Sequence, residues 1–199
     1  MKQILTNALI NSYSYQDYRK TVADLLQEAK SSGAIQSEAL VNYGRLNETR
    51  MYRLDKTLVI DQTIVSKLKT IQSQYIWLII TEGWCGDAAQ ILPIFNKMSE
   101  FSDHIDLKIV FRDDNEDLMN LFLTYGTKSI PKLIILDKNA LDVIADWGPR
   151  PKRAIDLVQN YKDKFGVIDD TIKAELQMWY LHDKGLSTQK EIMELLKGS

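Results

Sequence analysis

The stretch from Tyr75 to Phe101 spells out strand, turn and helix in immediate succession, and its turn carries the only cysteine of the chain. Tyr75 to Ile80 is an uninterrupted apolar run rich in β-branched and aromatic residues, which predicts a buried strand. Thr81-Glu82-Gly83-Trp84-Cys85-Gly86-Asp87-Ala88 closes that strand. Ala88 to Phe101 then repeats apolar residues at helical spacing, with Ile91, Leu92, Phe95 and Met98 facing a core and Pro93 bending the axis. A helix start presents unpaired N–H groups and the positive end of a dipole, both of which favour a thiolate over a thiol. The other reading of a lone cysteine is a small buried hydrophobe. The turn residues Gly83-Trp84 and Gly86-Asp87 around Cys85 favour the first, so the expectation is an exposed or half-exposed thiol. Asp87 opposes the helix end, since a carboxylate two residues on raises a thiol's pKa.

Forty-six residues after Cys85, Pro131 stands in Tyr125-Gly126-Thr127-Lys128-Ser129-Ile130-Pro131-Lys132-Leu133, which leads from a glycine turn into a second apolar strand, Leu133 to Leu136. Trp84-Cys85-Gly86 after one strand and Ile130-Pro131 before another resemble the thioredoxin family. More narrowly, they resemble bacterial members that carry Trp-Cys-Gly-Asp at the active turn. The likeness covers roughly residues 57–165. It implies a three-layer α/β/α fold around a central mixed sheet, and a cis bond ahead of Pro131. In the family, the residue before that proline, here Ile130, offers its backbone to an extended substrate, while the proline keeps metals from the thiol. Gly148-Pro149-Arg150 matches a loop that nears the active turn through a glycine. Arg150 would there stabilise a thiolate, pair with a substrate carboxylate, or make a surface salt bridge. Trp84 either offers a flat apolar contact to a substrate or packs on the turn. Asp87 either balances the helix dipole or moves protons for Cys85, with Gly86 and Ala88 completing the turn.

Two positions depart from the family pattern. Redox-active members have a second cysteine where this chain has Ala88, and many bury an aspartate where it has Ile79. A dithiol–disulfide cycle within the chain is therefore chemically impossible. Three functions remain. The first is monothiol exchange, in which Cys85 forms a mixed disulfide with a protein client or a small thiol such as glutathione, resolved by an external thiol. The second is a non-catalytic module that binds a protein or peptide between Trp84, Ile130 and Pro131. The third is a peroxide-reactive thiol sensor. No cofactor is implied, and the isolated His104 and His182 suggest no metal site.

A net charge of −2, with no dense Lys/Arg cluster, argues against nucleic acid, and no apolar run nears the ~20 residues that span a bilayer. A lone cysteine fits a reducing, cytoplasmic setting. Met1 to Ile10 lacks the pattern of a signal peptide and reads as mature protein. The expected organisation is a helical extension over 1–56, a thioredoxin-like domain over 57–165 and a second helical extension over 166–199, docked on that domain. In the first extension, Ser14 or Gln16 opens one helix and Ser37 another. The latter turns Leu40, Val41, Leu46, Met51 and Leu54 inward and Arg45, Arg50 and Arg53 outward. That basic stripe is either a solvated face or a cationic wall near Cys85 or an acidic partner. Asp61 opens a third helix, Ile105 to Phe111 is a strand, and Leu141 to Trp147 completes a hairpin. Pro151 starts a helix to Phe165. Asp169 caps one more, and Thr188 with Glu191 forms a capping-box pattern for the last.

Overall fold

The computed structural model describes residues 1–196. Four strands form one mixed sheet in the order β2-β1-β3-β4. At its centre β1 (Tyr75–Thr81) is buried along its whole length. It runs parallel to β2 (Ile105–Phe111), with Tyr75 opposite Ile105 and Thr81 opposite Phe111. On its other side it runs antiparallel to β3 (Lys132–Asp137), which pairs antiparallel with β4 (Val143–Trp147) across a bulge at Ile135/Leu136. The unbroken apolar sequence of β1 follows from helices lying over the sheet, because a strand covered on both faces has no polar side to alternate with.

Helix α5 (Gly86–Ser99) links β1 to β2 and carries Pro93 in its interior. Ile91, Leu92, Phe95 and Met98 are all fully buried. Phe95 lies edge-on between Trp77 and Trp147, at centroid distances of 6.0 and 5.6 Å. Each such apolar side chain removed from water contributes ~1.5–3 kcal/mol, so this contact anchors the helix that bears the cysteine turn. Helix α6 (Glu116–Leu121) follows β2, and α7 (Lys152–Phe165) follows β4.

The flanking segments are helical at both ends: α1 (Lys2–Ile10), α2 (Tyr15–Gln27), α3 (Glu38–Thr57) and α4 (Gln62–Leu68) before the sheet, α8 (Asp170–Asp183) and α9 (Leu186–Leu195) after it. Four of their starts are capped by side chains. Ser14 accepts from the Asp17 N–H, Ser37 from Leu40, Asp61 from Thr63, and Asp169 from Thr171 and Ile172. Such caps contribute about 1 kcal/mol each. The buried cluster runs without a break from Leu5 to Leu196, so both flanks share the core of the sheet. Tyr13, between α1 and α2, exchanges two backbone hydrogen bonds with Ile109 of β2, at 2.8 and 2.9 Å. None of the described helices is long and apolar enough to cross a membrane.

Three local expectations are corrected. The first ten residues hold a helix of their own, which buries Leu5 and Ala8. In α3, Leu46 is 53% exposed, while Gly44 turns inward against the Leu26 side chain and Asn47 turns inward to the Gly83 carbonyl of the cysteine turn. The pair Thr188–Glu191 is no capping box. Helix α9 starts from Gly185 at φ +78°, Thr188 lies inside it, and Glu191 accepts from Trp147 Nε1 at 2.7 Å and from the Lys152 N–H at 2.9 Å.

Candidate functional site

Cys85 is the N-cap residue of α5, its backbone N–H bonded to the Glu82 carbonyl at 3.1 Å. Its Sγ donates to the carbonyl of Ile130 at 3.4 Å, and the Ile130–Pro131 peptide bond is cis. The cysteine turn and the proline-led strand therefore meet at the sulfur. A third loop joins them at Gly148, which sits at φ +125° before a cis Pro149. A Cβ at Gly148 would lie 2.3 Å from the Pro131 carbonyl oxygen, so only glycine permits this approach.

The expectation of an exposed or half-exposed thiol is overturned, since Cys85 is only 7% exposed. Burial pushes its pKa up to about 12, and the charge of Asp87 adds to the effect. The Ala88 and Asp87 N–H groups and the Arg150 guanidinium pull the other way without compensating. The helix end does lower the thiol's pKa; desolvation outweighs it. Helices distant in sequence pack on the turn that holds the thiol. From α3, Asn47 donates to the Gly83 carbonyl at 3.0 Å and Arg50 donates to Asn47 Oδ1 at 2.9 Å. A Cβ on Gly86 would stand 3.9 Å from both Arg50 Nη1 and Gln177 Nε2, which places α3 and α8 beside the start of α5. From α2, the buried Tyr18 hydroxyl lies near enough to Cys85 and Glu82 to feel their charge, and its pKa is raised, first by burial.

Asp87 is held at both oxygens. Arg150 donates Nε and Nη2 to Oδ2 at 2.8 and 2.7 Å, and the Tyr180 hydroxyl donates to Oδ1 at 2.8 Å. The side chains of the pair are 28% and 10% exposed, so Arg150 makes a half-buried ion pair and not a surface salt bridge. Burial works against the guanidinium's charge, yet Asp87 holds its pKa above the ordinary value. Trp84 is partly buried, with the Arg112 guanidinium 5.1 Å from its ring. Ala88, where a resolving cysteine would stand, is 1% exposed, and Ile79 is fully buried in the core.

Sequence reasoning missed Glu82. This carboxylate is wholly buried between β1 and the turn, where Ser32 donates to Oε2 and the Asp113 N–H to Oε1 at 3.0 Å. Ser32 Oγ also accepts the Gly83 N–H at 2.8 Å. Asp113 accepts from the Ala34 N–H at 3.2 Å and pairs with Arg112 at 2.8 Å. Burial raises the Glu82 pKa, against the pull of Ser32 and the Asp113 N–H. The cluster fastens the loop after α2 to the cysteine turn. Its one sequence signal was a glutamate just past the apolar run Tyr75 to Ile80. Ser31-Ser32-Gly33 read only as a helix stop. Among the described residues no group of three or more His, Cys, Asp or Glu could hold a metal ion.

A mixed sheet in this order, a cysteine capping the helix after its central strand, and a cis proline facing the sulfur define a protein of the thioredoxin fold. The family model Thioredoxin_9, described as thioredoxin, matches residues 33–162. The chain belongs to that thioredoxin family. Two solved structures share its fold. The protein of unknown function PA1234 from Pseudomonas aeruginosa is 14% identical at a TM-score of 0.61, with 96% of this chain and 95% of that one covered. An HIV epitope-scaffold of the 4E10 series is 17% identical at a TM-score of 0.55, covering 89% of this chain and 98% of its own. Among curated proteins none matches.

Proposed function

We propose that this chain works as a non-catalytic thioredoxin-like binding module in which Cys85 is a hydrogen-bond donor and not a nucleophile. The supporting observation is the thiol itself, nearly buried, donating to the Ile130 carbonyl, with a pKa pushed up to about 12. The thiolate is the reactive form, and at neutral pH such a group is almost entirely S–H. Asp87, the carboxylate whose charge acts on the thiol, is occupied by Arg150 and Tyr180 and is poorly placed to take the proton. The module's ligand is an extended protein or peptide segment beside Trp84 and Pro131, where the family binds its substrates.

Monothiol exchange is the second reading, favoured by the position of the sulfur against the Ile130–Pro131 backbone. In it, the Cys85 thiolate attacks a disulfide of glutathione or a protein client and expels one thiolate. A second external thiol then attacks the mixed disulfide and releases Cys85. This route requires the turn to open first. Peroxide sensing has less support, because Arg150 is already paired with Asp87.

Alkylation by iodoacetamide across pH separates the readings. The proposal expects a rate that climbs about tenfold per pH unit through pH 10 without a plateau. It expects no adduct with oxidised glutathione at pH 7.5, and equal enrichment of extended peptides from a displayed library by wild type and Cys85→Ala. A plateau near neutral pH together with an adduct would establish exchange instead. Loss of peptide enrichment in Cys85→Ala would count against the module.

A further inference from the structure

One concavity of the molecule lies away from the cysteine. It is a cleft of about 620 Å³ between the end of α3, the segment Leu58–Asp61, the outer side of α5, and the junction of α8 with α9. That volume lies within the range of ligand sites, ~300–1,000 Å³. Apart from Gln90, its buried surfaces are apolar: Leu58, Ile94 and the ring of Tyr180. Leu181 and Leu186 extend the same lining outward and remain exposed. An apolar hollow that continues into exposed aliphatic side chains marks a binding surface more often than a defect of packing.

The rim is cationic. Arg53 and Lys184 both line the cleft, and neither has a carboxylate within 4.0 Å among the described residues. Arg50, one turn before Arg53, also lacks one; its pKa is lowered by burial and then by the charge of Arg53. Two guanidiniums on successive turns thus repel each other with no counter-charge between them. Asp61, the carboxylate of the lining, is engaged by the N–H and hydroxyl of Thr63 as a helix cap. At the inner end, Gln90 donates to Gln177 at 2.8 Å and separates the cleft from the start of α5.

From this pairing of an apolar floor with uncompensated positive charge in the lining, we propose that the cleft binds a medium-chain aliphatic carboxylate. Its chain lies against Leu58, Ile94 and Leu181, and its carboxylate meets Arg53 and Lys184. A cationic amphiphile would add a third like charge to that rim. A small anion without a chain would leave the apolar floor wet. The proposal stands whether or not Cys85 reacts, because no part of the cleft touches the sulfur.

Isothermal titration calorimetry on the full chain, below micelle formation, tests it with dodecanoate, dodecyltrimethylammonium and acetate as probes. Dodecanoate should saturate a single site in the micromolar range, with no measurable binding of the other two. Arg53→Glu combined with Lys184→Glu should weaken dodecanoate about tenfold or more. Leu181→Trp, a change at a half-exposed position that fills the cleft, should abolish binding without lowering the melting temperature. The proposal is overturned if dodecanoate fails to saturate, or if the ammonium probe binds as tightly. It is also overturned if Leu181→Trp leaves binding unchanged, since the chain would then sit elsewhere.

Discussion

At Cys85, desolvation and the charge of Asp87 hold a proton on the sulfur that two backbone N–H groups and Arg150 would release. The balance is open to test by removing one contributor. In Asp87→Asn the side chain still reaches Tyr180 and Arg150, while the negative charge near the sulfur is gone. Alkylation of Cys85 at pH 8 should accelerate by about tenfold, the effect of one pKa unit; an unchanged rate would show that burial alone sets the thiol. Glu82 offers a second residue-scale test. Its folded pKa is raised, so the fold favours the neutral acid, and that contribution is complete below about 4.5 and lost as pH rises through the folded value. Glu82→Gln, neutral at every pH, should therefore raise the urea midpoint at pH 7 relative to wild type, with the gap closing toward pH 4. Glu82→Ala should lower the unfolding free energy by about 1–3 kcal/mol, because the Asp113 N–H and the Ser32 hydroxyl lose their acceptor. The placement of Cys85 was legible in the chain, since a strand, a glycine turn and a helix start fix it locally. Its burial was not, because the side chains packed on the neighbouring turn residues Gly83 and Gly86 arrive from Asn47, Arg50 and Gln177, far away in sequence.

Among the elements, α8 and α9 are tied to the site and the elements beside it by three specific hydrogen bonds. Tyr180 of α8 donates to Asp87, and Glu191 of α9 accepts from Trp147 and from the first N–H of α7. A hydrogen bond to a charged group contributes ~1.5–3 kcal/mol. Tyr180→Phe keeps the ring and should cost about 2 kcal/mol in denaturant unfolding; a cost near zero would mean that Arg150 alone satisfies Asp87. The same contacts explain where pattern reading failed. Thr188 and Glu191 have the spacing of a capping box, yet the glutamate serves a neighbouring strand and helix. Leu46 fits the apolar period of α3, but the inward face at that height must hydrogen-bond Gly83, and Asn47 does so. Periodicity reports the side a helix turns to apolar neighbours and is silent where the neighbour is polar backbone. The four strands and the caps at Ser37, Asp61 and Asp169 were legible because each depends on residues a few positions apart, and of Ser14 and Gln16 it is Ser14 that caps α2.

For the molecule as a whole, the continuous core from Leu5 to Leu196 leaves no apolar boundary at which either flank would melt alone. Calorimetry at pH 7 should show one cooperative transition, whereas two resolved peaks would make a flank an independent unit. The alkaline limb should be steep. Cys85, Tyr18 and Tyr180 all have folded pKa values raised by burial, so the stability each contributes is complete below its unfolded value and disappears as pH climbs. For Cys85 that window runs from about 9 to about 12, and Cys85→Ala should flatten the fall of melting temperature with pH there.

The two backbone bonds that Tyr13 makes with Ile109 act on the outer margin of the sheet. An open strand margin is a template on which a foreign chain can add itself, the first step toward fibrils and tangled oligomers. By lending its own backbone there, the stretch ahead of α2 works as a selvedge, finishing the β2 side of the sheet so that it does not fray into its neighbours.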